Sequence, residues 1–251
     1  MKVLITGARS GIGFAVGKVL LTRGHDVVFT THTEEQSQAL RQEGYQSMVL
    51  DITKPVDPTL FQEIDVLFCN AAIGVGGSIL DLPIDRLREN FEVNVFHNFR
   101  LIQLALDQML SKGSGTVVIM SSLVADMPVP FLSSYSATKA AIKSLAITLR
   151  KELKKISTGV HIKLIQPGAY HTGFNQLMIN QNLEFDQPHY ERQIEEIVRM
   201  TNLEFRLLEP HKLDSIVRKI VRAIETDSSR FLYKAPFYQS FFTKLYQIFC
   251  K

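Results

Sequence analysis

The sequence predicts an α/β protein built on a doubly wound parallel sheet of about seven strands, with helices on both faces. Three observations predict it. Short β-rich runs alternate with helical patterns along nearly the whole chain, the order expected when parallel strands are joined by crossover helices. The β-rich runs are continuous apolar stretches, which is how strands buried on both faces read. A glycine-rich turn follows the first run directly and opens the first helix.

In order, the elements begin with KVLIT at 2–6, a helix from Gly11 to about Arg23, DVVFTT at 26–31 and a polar helix over 34–43. SMVLD at 47–51, a short helix near 57–63 and DVLFCN at 65–70 come next. A long helix is then expected over 84–111, followed by TVVIMS at 116–121, a second long helix over 133–155 and VHIKLIQ at 160–166. Beyond Pro167 the pattern loosens over 170–209 into an amphipathic stretch rich in Asn, Gln and Glu, read as a lid or insert. A helix over 211–226 and a last strand, RFLYK at 230–234, return the chain to the sheet before an aromatic tail over 235–251.

Bulk properties narrow the class. At 251 residues, 45% apolar and 21% charged, the chain has the balance of a globular protein with a sizeable core, and one domain is the expectation. A net charge of +3 without any Lys/Arg run gives no basic footprint for nucleic acid. Cys69 and Cys250 do not form a secreted disulfide framework, so a reducing, cytoplasmic setting is expected. Met1-Lys2 leads at once into the first strand, which is not the pattern of a signal peptide. No apolar run approaches the roughly 18 residues of a spanning helix. No metal site is assigned.

The turn Thr6-Gly7-Ala8-Arg9-Ser10-Gly11-Ile12-Gly13 lies where backbone N–H groups and a positive helix end meet a dinucleotide pyrophosphate. Its spacing, Gly-x-x-x-Gly-x-Gly, differs from the commoner Gly-x-Gly-x-x-Gly fingerprint. Tyr135 and Lys139 are four apart at the start of a helix, so their polar ends share one face. Carbonyl chemistry uses such a pair. Bringing a phenol from about 10 to near neutrality needs roughly 4 kcal/mol of preference for the phenolate, and a neighbouring ammonium acts in that direction.

With these two motifs and four more in the same order, the chain resembles the short-chain dehydrogenase/reductase (SDR) family over nearly its whole length. The four are Asn70-Ala71-Ala72 after the fourth strand, Asn94 in the long helix, Ser122 thirteen residues before Tyr135, and Pro167-Gly168 with Thr172. Asp51-Ile52 falls where the family places an adenine contact. The resemblance implies a Rossmann-type domain that moves a hydride between a nicotinamide cofactor and a carbonyl or alcohol. Tyr135 is then the general acid or base, Lys139 lowers its pKa and holds the cofactor ribose, and Ser122 binds the substrate oxygen. Asn94 supports a water-linked proton path, and Pro167, Gly168 and Thr172 clasp the nicotinamide. The chain departs from many members at Ala72-Ile73, where they carry a glycine.

Cofactor choice is read from the end of the second strand. Members preferring the non-phosphorylated cofactor carry an acid there, whereas this chain has Thr31 and then His32. With Arg9 available for a 2′-phosphate, NADP(H) is favoured over NAD(H). The alternative from another class is a catalytically silent dinucleotide sensor of the same fold; the intact set Asn94, Ser122, Tyr135 and Lys139 argues against it. The apolar segments Leu123–Ala125, Met127–Leu132 and Leu177–Ile179 predict a lipophilic substrate. The long helices carrying Asn94 and Tyr135 are expected to form a homodimer or homotetramer. The aromatic stripe of the tail, Phe237 to Phe249, is expected to pack on its own domain or a partner subunit in preference to a membrane surface.

Overall fold

The computed structural model describes residues 1–156, 159–184, 186–226 and 230–249; Cys250 lies outside them. Seven strands form one sheet: β1 (Lys2–Ile5), β2 (Asp26–Thr31), β3 (Ser47–Val49), β4 (Val66–Cys69), β5 (Gly115–Met120), β6 (Val160–Pro167) and β7 (Leu232–Ala235). All neighbours are parallel, in the order β3-β2-β1-β4-β5-β6-β7. Because β1 pairs with both β2 and β4, the sheet grows in opposite directions from it. Ligands in open α/β sheets bind at such a switch point, outside the carboxyl ends of the strands.

Strand geometry turns the apolar runs into two cores. Val3 and Ile5 face one core with Val27, Phe29, Val66 and Phe68; Leu4 faces the other with Val28, Leu67 and Cys69. The first face is covered by α1 (Gly11–Thr22) and α8 (Asp214–Glu225). The second is covered by α4 (Asn98–Lys112) and α5 (Ser133–Leu153). α2 (Glu34–Gln42) is capped by Thr33, whose hydroxyl accepts the Gln36 N–H, as a helix following a strand requires.

Several expected elements differ from those observed. The helix expected over 84–111 is divided into α3 (Ile84–Phe91), a π turn (Glu92–His97) and α4. A π turn closes i→i+5 hydrogen bonds, one residue wider than an α-helical turn, and such turns gather at functional sites. The short helix near 57–63 is a 3₁₀ turn, Pro58–Phe61, whose start is capped by the Asp57 carboxylate. The third strand ends at Val49, and the last covers Leu232–Ala235, two residues later than expected. The loose segment 170–209 contains α6 (Phe174–Asn180), a 3₁₀ turn (Gln181–Leu183) and α7 (Ile194–Leu208).

The tail forms α9 (Phe237–Phe249), and its aromatic stripe is largely turned away from the chain's own domain, the first of the two packings expected for it. Ser240 and Thr243 face inward, while Phe237, Phe241, Phe242 and Phe249 are exposed. Gln239 explains the inversion: its amide accepts from Ala169 N at 2.7 Å and donates to Leu208 O at 3.0 Å. Polar links to the loop after β6 and to the end of α7 thus set the orientation of α9. Among the described residues no helix is long and apolar enough to cross a membrane.

Candidate active site

The turn between β1 and α1 is fastened to the end of β4. Thr6 Oγ1 accepts the N–H groups of Asn70 and Ala71, both at 2.9 Å, and Asn70 Nδ2 returns to the carbonyls of Thr6 and Gly7, both at 3.0 Å. Glycine is required by contact as well as conformation. A Cβ at Gly7, where φ is +60°, would lie 2.9 Å from Ala71 Cα, and one at Gly13 would lie 2.6 Å from Asn70 Nδ2. Ser10 occupies the N-cap of α1 without a side-chain cap bond, which leaves the first N–H groups directed at the cleft. This is a glycine cradle at a positive helix end, and it fits a pyrophosphate.

The remaining cofactor residues lie around the same strand ends. Asp51, just past β3, accepts from Thr53 N and Oγ1 at 2.9 and 2.7 Å, and Ile52 is buried. Burial alone would raise the Asp51 carboxyl, but the Thr53 hydrogen bonds with His32 and Lys54 outweigh it and hold it low. Thr31 is buried and its hydroxyl donates to Thr33 O at 3.0 Å. At this corner stand Arg9, 3.9 Å from Glu43, and the exposed ring of His32, whose Nδ1 lies 3.7 Å from Asp51. Both separations exceed a hydrogen bond. Thr172 lies over Gly11, 3.5 Å from where a Cβ there would stand, and Gly168 N donates to Ala235 O at 2.7 Å. Ile12 and Ala72 are half-buried beside the cleft.

The Ser122 side chain, just past β5, lies close enough to the Tyr135 phenol, in the first turn of α5, to act on it. Ser122 Oγ also lies 3.5 Å from Pro167 O and 3.3 Å from Val124 N. Lys139 is one helical turn beyond Tyr135 and 2% exposed. Its Nζ donates to Met120 O at 3.2 Å and sits 5.4 Å from the centre of the Tyr135 ring. Burial pushes the Tyr135 phenol up, against a smaller opposing effect of the Ser122 side chain. Burial likewise pushes Lys139 down to about 8, because a low-dielectric site disfavours whichever form is charged. Hydroxyls and amine thus converge, with burial as the dominant influence on both titratable groups.

Asn94 occupies the π turn and is fully buried. Its Oδ1 accepts Ile73 N at 2.9 Å, and its Nδ2 donates to Ile73 O at 2.8 Å. Asn90 lies 2.6 Å from the same Nδ2 and Thr138 Oγ1 lies 3.2 Å from it. These protein contacts make Asn94 a brace for the chain after β4, so the side chain expected to support a proton path is held by structure on both its ends.

Other contributing residues gave little signal in the sequence. Thr6 lies inside the glycine motif but carries no distinguishing spacing. Thr138, which donates to Tyr135 O at 2.8 Å, reads as an ordinary helix residue. Phe174 packs against Tyr135 with ring centres 5.5 Å apart and planes tilted by 54°, within an apolar cluster containing Leu132, Met178, Ile179 and Val198. Glu209 anchors this lid through His171 Nδ1 at 3.3 Å, Asn175 Nδ2 at 2.7 Å and Gln176 Nε2 at 2.9 Å. Its partners lie more than 30 residues away, beyond the reach of local pattern.

The family model for short chain dehydrogenases matches residues 1–182, and the chain belongs to that family. It is 30% identical over 184 residues to YusZ of Bacillus subtilis strain 168, an uncharacterized oxidoreductase, covering 67% of this chain and 65% of that protein. It is 31% identical to VdlC of Helicobacter pylori strain J99, a probable short-chain type dehydrogenase/reductase, over 69% of this chain and 66% of that protein. The chain therefore spans just under two thirds of the length of these relatives. A short-chain dehydrogenase from Streptomyces avermitilis superposes with a TM-score of 0.76 at 25% identity, covering 98% of this chain and 92% of that one.

Lys139 makes the site's electrostatics measurable without a substrate. Its folded value of about 8 lies below the ordinary 10.5, so the unfolded chain binds more protons between those values and stability rises with pH across that window. The penalty is fully present below about pH 8 and vanishes above about 10.5; it amounts to at most about 3 kcal/mol. Urea unfolding at pH 7.5, 9 and 10 should show the wild type gaining stability relative to Lys139→Met. Parallel pH curves for the two proteins would contradict the assignment.

Proposed function

We propose that the chain is a nicotinamide-dependent oxidoreductase that interconverts a carbonyl and an alcohol, with NADP(H) favoured and a lipophilic substrate. The observation that carries this reading is the grouping of the Ser122 and Tyr135 hydroxyls beside buried Lys139, whose Nζ lies 5.4 Å from the centre of the Tyr135 ring, near the glycine cradle. A bound nicotinamide would supply or accept the hydride. The protein's own residues manage the oxygen and its proton.

In reduction, Tyr135 gives its hydroxyl proton to the oxygen as negative charge develops there, while Ser122 donates a second hydrogen bond. Two donors aimed at that charge stabilise the transition state more than the ground state. In oxidation Tyr135 takes the proton back. The Lys139 ammonium favours the phenolate form, with its Nζ 5.4 Å from the ring centre. The glycine cradle would hold the pyrophosphate, Asp51 and Ile52 would receive the adenine, and Pro167, Gly168 and Thr172 would receive the nicotinamide. A silent dinucleotide sensor would need the cradle but not this hydroxyl pair.

Two features support the finer assignments. The end of β2 presents no acid to repel a 2′-phosphate, and Arg9 and His32 are loosely paired at that corner. Over Tyr135, the lid presents Phe174, Met178, Ile179 and Val198, a mostly apolar wall with few directing groups. The helices carrying Asn94 and Tyr135 also leave Phe96 and Leu145 exposed, consistent with a homodimer or homotetramer through those helices.

Relatives of the same fold occur with either cofactor. One from Burkholderia cenocepacia (TM-score 0.70, 19% identity, 97% of this chain and 92% of that one) was solved with NADP; one from Burkholderia phymatum (0.74, 20%, 97% and 92%) was solved with NAD.

Tyr135→Phe should lower turnover on the order of 10²-fold or more while NADPH binding and the unfolding midpoint stay near wild type. Steady-state assays at 340 nm with titration of NADPH fluorescence read all three, and unchanged turnover would contradict the role. Arg9→Ala should weaken NADPH binding about tenfold, the scale of one charge-assisted hydrogen bond, and leave NADH binding unaltered. Equal losses for the two cofactors would show that Arg9 does not read the 2′-phosphate.

A further inference from the structure

Ser122 stands at the end of a strand, where the next turn alone would hold it loosely. Its backbone is fixed from the neighbouring strand: Gln166 Nε2, fully buried in β6, donates to Ser122 O at 3.1 Å. The same nitrogen lies 3.2 Å from Asp126 Oδ2, four residues beyond Ser122 in the same turn. Asp126 also pairs with Lys234 of β7 at 2.7 Å and with Lys143 of α5.

The Asp126 side chain is 2% exposed, against 26% for Lys143 and 16% for Lys234. A carboxylate buried to that degree is stable only when paired and hydrogen-bonded, and here the partners come from three separate elements. Lys143 is one helical turn beyond Lys139 and two beyond Tyr135 on the same helix. The ion pair therefore ties the turn carrying Ser122 to the helix carrying Tyr135. Burial alone would raise the Asp126 carboxyl, but its hydrogen bonds to Lys143 and Lys234 outweigh that and keep it low.

We propose that Asp126 is a positioning residue for the hydride-transfer reaction: by joining Lys143, Lys234 and Gln166 it sets the distance and orientation between the Ser122 and Tyr135 hydroxyls. It touches neither of those hydroxyls and acts through the backbone of the turn and through α5. The inference rests on the functional reading above, since it assigns Asp126 to the support of that same hydroxyl pair.

A kinetic double-mutant cycle separates positioning from general stability. Wild type, Asp126→Asn, Ser122→Ala and the double variant are assayed with NADPH and an active carbonyl, beside NADPH affinity and unfolding midpoints. Asp126→Asn should lower kcat about tenfold or more, the scale on which a misplaced group costs rate, with NADPH affinity within about twofold of wild type. In the Ser122→Ala background the same substitution should change kcat by less than about twofold, because the group it positions is gone. Equal losses in both backgrounds, or no loss in either, would overturn the proposal. If Asp126→Asn does not fold, Lys234→Met, at a partner more exposed than Asp126 itself, runs the same cycle and is held to the same contrast. Absence of wild-type turnover would reject the functional reading instead. Crystal structures of the parent and Asp126→Asn then decide positioning without turnover: a changed Ser122 Oγ–Tyr135 Oη separation in the variant supports it, and an unchanged one overturns it.

Discussion

The Thr6 hydroxyl is the joint on which the site depends. At the switch point of the sheet, β1 and β4 end side by side, and the backbone N–H groups beyond β4 have lost their strand partners. Buried or half-buried N–H groups left without acceptors cost free energy comparable to a lost hydrogen bond. Thr6 Oγ1 accepts two of them, from Asn70 and Ala71. The Asn70 amide then closes back on the glycine turn. From that joint a chain of contacts reaches the proposed acid: Ile73 is gripped at both ends by Asn94, Asn94 lies against Thr138, and Thr138 donates to Tyr135 O. Cradle and hydroxyl pair are therefore parts of one hydrogen-bonded frame.

Burial shapes the chemistry of that frame. Tyr135 and Lys139 are both pushed toward their neutral forms by desolvation, whereas the sequence spacing had suggested mainly a lysine acting on the phenol. The two influences belong to different levels of description. Spacing tells which groups share a helix face; the surrounding strands and lid decide how much water reaches them. Lys139 donates to a backbone carbonyl at the end of β5, a contact that no local pattern encodes.

The parts of the fold legible in the sequence were those set by local periodicity. Continuous apolar runs marked strands buried on both faces, and Gly7, Gly11 and Gly13 stood where a strand turned into a helix. The order of Ser122, Tyr135 and Lys139 was legible because β5 and α5 are consecutive. The π turn at Glu92–His97 was not, because one wider turn between two helical stretches is too short to stand out from a continuous helical pattern. The direction of the aromatic face of α9 was not legible, because aromatic periodicity says which residues share a face, while Gln239 contacts far along the chain decide where that face points. Strand alternation buries Thr31 at the end of β2 and leaves His32 outward, a difference the missing acid alone does not tell. Long-range polar links such as Glu209 to α6 have no sequence period at all.

The account stands or falls on whether hydride passes between cofactor and substrate carbon in this site. The direct measurement uses NADPH carrying deuterium on the transferable position of the nicotinamide ring, incubated with the full chain and a lipophilic ketone. Mass spectrometry of the alcohol reads the outcome. The account predicts one deuterium on the new carbinol carbon and none on its oxygen after exchange in water, where the proton comes by way of Tyr135. An alcohol without deuterium at that carbon, or no alcohol with any carbonyl of a broad panel, would contradict it.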